Sequence, residues 1–125
     1  MILGESLEDY LEAILALSGV IDEVHAIDIA SYLGFSKPSV SHAMKLLAQQ
    51  ELIELNSNKA ISLTAKGKQI AKETYHRHQF FADMLISLGV TKEIAQRDAC
   101  RMEHALSQES FDAIEKYCTS KNKTR

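Results

Sequence analysis

The run Asp98-Ala99-Cys100-Arg101-Met102-Glu103-His104 gathers three metal-ligand types within one short stretch. On a helix, Cys100, Glu103 and His104 fall at i, i+3 and i+4 and project from one face. They offer a thiolate sulfur, a carboxylate oxygen and an imidazole nitrogen. Asp9 and Glu12, an i, i+3 acidic pair, and His78 in mid-chain supply three further donors. Singly, each has an ordinary explanation: an acidic pair is a solvated helix face, a lone histidine is a surface or core residue, and a free cysteine packs as a small hydrophobe. Three donor types on one helical face are a stronger signal. If all six converge, one ion ties the two ends of the chain together, which is the chemistry of a metal sensor.

Helical elements must position these groups. Leu7, Tyr10, Leu11, Ile14 and Leu15 form an apolar stripe over residues 6–17, with Ser6 as its expected N-cap and Gly19 as its end. Asp9 and Glu12 fall beside that stripe. A short helix from His25 to Leu33 closes at Gly34. Ser36 then caps a helix with Lys37 and Pro38 in its first turn. Val40, Ala43, Met44 and Leu47 form its buried face; Ser39, Ser41, His42 and Lys45 form the other. These two helices predict a helix-turn-helix.

Leu52–Leu55 and Ala60–Leu63 read as short strands around the turn Asn56-Ser57-Asn58-Lys59. A helix-turn-helix followed by a hairpin is a winged helix, with Lys59 at the wing tip. Thr64 caps a long helix to about Leu88 that carries His78 and is weakened in its first turn by Gly67; Gly89 ends it. Thr91 caps the helix holding Cys100, Glu103 and His104, and Ser107 caps a last helix with Phe111, Ile114 and Cys118. The polar tail Thr119–Arg125 is expected to fray. The expected fold is mainly α with a small two-stranded β wing: a winged helix-turn-helix DNA-binding domain over residues 1–72 and a helical metal-binding and dimerisation domain over 73–125. The second lobe has more apolar surface than so few helices can bury alone, which predicts a two-fold homodimer.

A hydrophobic content of 46% supports one compact core or two small lobes, and no run approaches the roughly 20 apolar residues of a membrane span. The N-terminus lacks the pattern of a signal peptide, so the expected location is the cytoplasm, with no membrane partner and no small-molecule substrate. There Cys100 and Cys118 are expected to remain thiols, Cys118 packing in a core or interface. The net charge of −3 runs against nucleic-acid binding, but its distribution does not. From Ser36 to Lys72, six lysines stand against Glu51 and Glu54, a local excess of four positive charges. Ser36, Lys37, Pro38, Ser39, Ser41, His42, Lys45 and Lys59 are the candidate DNA-binding residues, with the Ser36–Gln49 helix in the major groove.

Taken together, these motifs resemble the diphtheria toxin repressor and manganese transport regulator family. Glu8-Asp9-Tyr10-Leu11-Glu12-Ala13-Ile14 is similar to its first helix. Asp28-Ile29-Ala30, Ser36-Lys37-Pro38-Ser39-Val40-Ser41 and Ile61-Ser62-Leu63-Thr64-Ala65-Lys66-Gly67 resemble its helix-turn-helix and wing. Arg77-His78 and the Asp98–His104 run resemble its metal-binding helices. The resemblance implies a dimeric repressor activated by Fe²⁺ or Mn²⁺, with Asp9, Glu12, His78, Cys100, Glu103 and His104 at the main metal site. Asp9 resembles the manganese branch and Cys100 the iron branch. The glutamate and histidine of the iron branch's ancillary site correspond to Ala82 and Gln96, which implies that this site is absent or rebuilt. The chain is expected to be a short form without the SH3-like third domain.

Carboxylates and imidazole suit Mn²⁺, while a thiolate shifts preference toward Fe²⁺, with Co²⁺, Ni²⁺ or Zn²⁺ as occupants in vitro. The expected mechanism is a metal-gated spacing switch that sets two recognition helices about one DNA turn apart on a palindromic operator. The alternative is a winged-helix regulator answering to an organic ligand or peptide, without metal gating. A metal hydrolase is disfavoured, because six donors leave little room for an open coordination position.

Overall fold

The computed structural model describes residues 5–123, with side chains described for residues 7–120. Its elements are α1 (Glu5–Ser18), α2 (Ala26–Leu33), α3 (Lys37–Gln49), β1 (Ile53–Leu55), β2 (Ile61–Leu63), α4 (Ala65–Ser87), α5 (Lys92–Met102) and α6 (Gln108–Lys123). The chain divides into two compact units, Met1–Glu73 and Thr74–Arg125.

The first unit is built around one apolar cluster. Tyr10, Leu11 and Ile14 from α1 meet Ile29 from α2, Val40, Ala43, Met44 and Leu47 from α3, and Ile53 and Ile61 from the strands. These are the helix-period stripes expected from the sequence. α1 starts at Glu5, so Ser6 lies inside the helix and is not its cap; the Ser6 side chain lies outside the described residues. α2 begins one residue later than expected. His25 is its N-cap, and the His25 backbone N–H donates to the Asp28 carboxylate at 2.9 Å. The helix closes at Gly34, whose φ of 73° is left-handed and suits a residue without Cβ. Ser36 caps α3 as expected: its hydroxyl accepts from the Ser39 N–H at 3.3 Å and donates to the Ser39 hydroxyl at 2.9 Å.

β1 and β2 pair antiparallel with Ile53 opposite Leu63 and Leu55 opposite Ile61. Val24 adds a bridge to Ile61 that no local pattern announces, with the Ile61 N–H donating to the Val24 carbonyl at 2.7 Å. In the turn between strands, Asn56 Oδ1 accepts from the N–H groups of Asn58 and Ala60, both at 2.9 Å. Lys59 takes φ 63° there, a left-handed conformation that costs a non-glycine residue about 1–2 kcal/mol.

Thr64 caps α4 by accepting from the Gly67 N–H at 3.1 Å. Gly67 does more than weaken that first turn. A Cβ there would stand 2.0 Å from the Leu52 carbonyl oxygen, so only glycine lets α4 pass the entry to the wing. Gly67→Ala is therefore expected to destabilise the first unit by about 3 kcal/mol, the upper range for overpacking. Urea unfolding measures this, with the exposed Lys68→Ala as a control expected within about 0.5 kcal/mol of wild type.

The second unit packs Phe81, Ala82, Ala99 and Phe111 as a small core, flanked by Phe80, Met84, Met102 and Leu106. The Phe80, Phe81 and Phe111 rings meet edge-on at 5.4–5.7 Å. Thr91 precedes α5 in extended backbone, but its hydroxyl makes no cap bond. Ser107 does cap α6, accepting from the Ser110 N–H at 3.1 Å. α6 continues to Lys123, so residues 119–123 are helical where fraying was expected. Cys100 and Cys118 are not disulfide-bonded. Among the described residues, no helix is long and apolar enough to cross a membrane.

Candidate metal centre and nucleic-acid interface

The donors at 100–104 sit differently from the expected helical face. α5 ends at Met102; Glu103 is its C-cap, and His104 lies in the turn beyond. The helix stops because the chain must turn there to begin α6 at Gln108. Glu103 keeps helical backbone angles, φ −62° and ψ −24°, so the three side chains still gather. Cys100, Glu103 and His104 can each present a ligand atom within 4.8 Å of the others.

His78 reaches the same carboxylate from α4. Its Nδ1 lies 3.0 Å from Glu103 Oε1, and its Nε2 lies 2.6 Å from Gln96 Oε1. Glu103 is only 2% exposed. A buried carboxylate is costly unless a cation or charged donors balance it, so this position calls for positive charge. Oxygen, nitrogen and sulfur donors together fit a first-row divalent ion.

Arg77, the neighbour of His78, holds the turn itself. Its Nη1 donates to the carbonyls of Glu103 at 3.1 Å and Leu106 at 2.8 Å, and its Nη2 to Gln108 Oε1 at 2.9 Å. The guanidinium carbon lies 5.1 Å from the Phe111 ring centroid. In the sequence Arg77 stands out only through the family resemblance, and Gln96 only as the counterpart of an ancillary-site histidine. Neither role is visible locally, since the partners lie 18 to 31 positions away. His76 pairs with Glu115.

Asp9 and Glu12 lie on α1 in the first unit, at i and i+3. In that unit Lys37, Pro38, Ser39, Ser41, His42 and Lys45 are all exposed on α3, as is Lys59 on the wing. A groove of about 600 Å³ runs between them, lined among others by Ser41, Met44, Lys45, Leu55, Asn58 and Lys59. Lysines thus stand on both walls of one groove beside an exposed helix face. Ser36 is engaged in capping, which leaves Ser39 with a hydroxyl proton to donate outward.

A winged helix with a basic exposed face, and a helical unit with S, O and N donors around one buried carboxylate, define a metal-responsive DNA-binding regulator. Residues 2–61 match the iron dependent repressor N-terminal DNA binding domain, and residues 64–123 match the iron dependent repressor metal binding and dimerisation domain. The chain belongs to the iron-dependent repressor family, whose members are metal-dependent transcriptional regulators and not enzymes.

It is 42% identical over 110 residues to the transcriptional regulator MntR of Escherichia coli O6:H1, covering 88% of this chain and 71% of that protein. It is 33% identical over 109 residues to the HTH-type transcriptional regulator MntR of Bacillus subtilis, covering 87% and 77%. The solved structure of the manganese regulator SloR superposes with a TM-score of 0.81 at 27% identity. That match covers 90% of this chain and 53% of SloR, so the chain spans about half of that protein's length.

Proposed function

We propose that this chain is a metal-activated transcriptional repressor that binds a palindromic operator in double-stranded DNA as a cytoplasmic homodimer and controls metal-homeostasis genes. The observation that carries it is the gathering of Cys100, Glu103 and His104 at the end of α5, with His78 against the buried Glu103 carboxylate. Asp9 and Glu12 complete the ligand set in this reading, following the resemblance of α1 to the family's first helix. The activating ion is Fe²⁺ or Mn²⁺. SloR is a manganese regulator, while the family's domains are described as iron dependent, and the Cys100 thiolate tilts the site toward Fe²⁺.

A bound divalent ion supplies the positive charge that the carboxylates of Asp9, Glu12 and Glu103 require. In this reading Asp9, Glu12, His78, Cys100, Glu103 and His104 would hold the ion, and the loaded homodimer would present its two α3 helices about one DNA turn apart. Ser39, Ser41, His42 and Lys45 then face base edges and phosphates, while Lys37 and Lys59 contact phosphates. Ser36 and Pro38 complete the DNA-side set by shaping the start of α3, Ser36 as its N-cap and Pro38 in its first turn.

Operator affinity measured with Mn²⁺, with anaerobic Fe²⁺ and with chelator tests this reading. Tight binding with either ion and loss with chelator is expected; equal affinity in all three would overturn it in favour of a regulator without metal gating. Lys37→Ala is expected to weaken binding at every sequence and to make the salt dependence shallower by about one unit per lost phosphate contact.

A further inference from the structure

The amide of Gln96 stands where it can decide which nitrogen of His78 meets a metal. Gln96 lies on α5 and His78 on α4, and Gln96 Oε1 is 2.6 Å from His78 Nε2. A carbonyl oxygen only accepts, so His78 Nε2 must carry a proton toward it. A neutral imidazole has one N–H, and His78 Nδ1 then presents its lone pair to Glu103 Oε1, 3.0 Å away. Two bare lone pairs at that distance repel, so a proton or a metal ion must lie between them, and a metal ion bound there takes the place of a proton on Nδ1.

We infer that Gln96 is a positioning residue of the metal centre: it fixes His78 as the Nε2–H tautomer and so makes Nδ1 the metal donor. The inference rests on the proposed metal centre. Histidine ligands gain basicity and orientation when the other ring N–H is held by an acceptor, and losing that acceptor typically weakens metal binding by about 10–100-fold. Gln96 is half-buried on α5, and its amide oxygen lies at hydrogen-bonding distance from the His78 ring. The residue thus does more than leave an ancillary site empty of a ligand; it serves the main one.

Two measurements on the full chain test this. In protein loaded with diamagnetic Zn²⁺, long-range ¹H–¹⁵N correlation spectra show which His78 nitrogen carries the proton. The proton is expected on Nε2, and a proton on Nδ1 overturns the inference. Mn²⁺ affinity, measured by competition with a fluorescent chelator in the absence of DNA, is expected to fall about 10–100-fold in Gln96→Leu and to stay near wild type in Gln96→Glu, which keeps the acceptor. An unchanged Gln96→Leu, or an equal loss in both variants, overturns it. His78→Ala separates the two levels. If it binds Mn²⁺ as wild type does, the metal centre itself is misassigned; if it loses affinity while Gln96→Leu does not, only the role of Gln96 fails.

Discussion

Glu103→Gln is expected to remove metal binding while leaving the metal-free fold intact. The carboxylate is buried at 2% exposure, faces His78 Nδ1 at 3.0 Å and shares its surroundings with the donors of Cys100 and His104. Outer partners of a metal site alone are worth about 10–100-fold in affinity, and a directly bound charged ligand is worth more. Mn²⁺ at 100 times its dissociation constant should stabilise the wild-type protein by about 2.7 kcal/mol. A loss of about 100-fold leaves the variant about 0.4 kcal/mol at the same concentration. The amide has nearly the volume of the acid and relieves the cost of a buried charge, so metal-free stability should change by less than about 1 kcal/mol. Urea unfolding with and without Mn²⁺ reads both quantities. Equal metal stabilisation in the two proteins would remove Glu103 from the site.

The second large effect lies away from any ligand. Phe111 is almost fully buried and is the ring on which Phe80, Phe81 and His76 meet edge-on and over which Arg77 lies. Phe111→Ala should cost about 3–5 kcal/mol, from lost burial and the cavity left behind. A unit whose buried core consists of Phe81, Ala82, Ala99 and Phe111 has little else to absorb that loss. The consequence reaches the proposed metal centre, because Arg77 holds the Glu103 and Leu106 carbonyls while resting on the Phe111 ring. Metal affinity is therefore expected to fall together with stability. Ile114→Ala, on the same helix but 36% exposed, should cost clearly less. A loss of under 1 kcal/mol in Phe111→Ala would show that α6 does not anchor this unit.

Much of the fold was legible before any coordinates. Val40, Ala43, Met44 and Leu47 recur at helical spacing, and all four are buried on α3. Ser36 before Lys37-Pro38 marks a helix start, and Asn56-Ser57-Asn58-Lys59 marks a hairpin turn; both occur where the sequence places them. These signals are local, since a cap, a turn or an apolar stripe involves residues within a few positions of one another. The misreadings also have local causes. Ser6 has the chemistry of a cap but lies inside a helix that begins earlier. Thr91 has the same chemistry and stands at the N-cap, but its hydroxyl makes no cap bond to the helix. The i, i+3, i+4 reading of Cys100, Glu103 and His104 assumed a helix that ends at Met102, although the turn beyond it still keeps the donors together.

By itself, then, the sequence determined the helix-turn-helix and wing, the lysine-rich stretch and the types of donor atom available, because periodicity, capping and charge are written in neighbouring residues. Only the tertiary structure decided that Glu103 is buried, that His78 turns one nitrogen to it and the other to Gln96, that Arg77 grips the turn beyond α5, and that Gly67 must lack a side chain beside Leu52. Those are contacts between residues 15 to 29 positions apart. No local preference encodes them; they form when helices pack and bring fixed side chains within hydrogen-bonding reach.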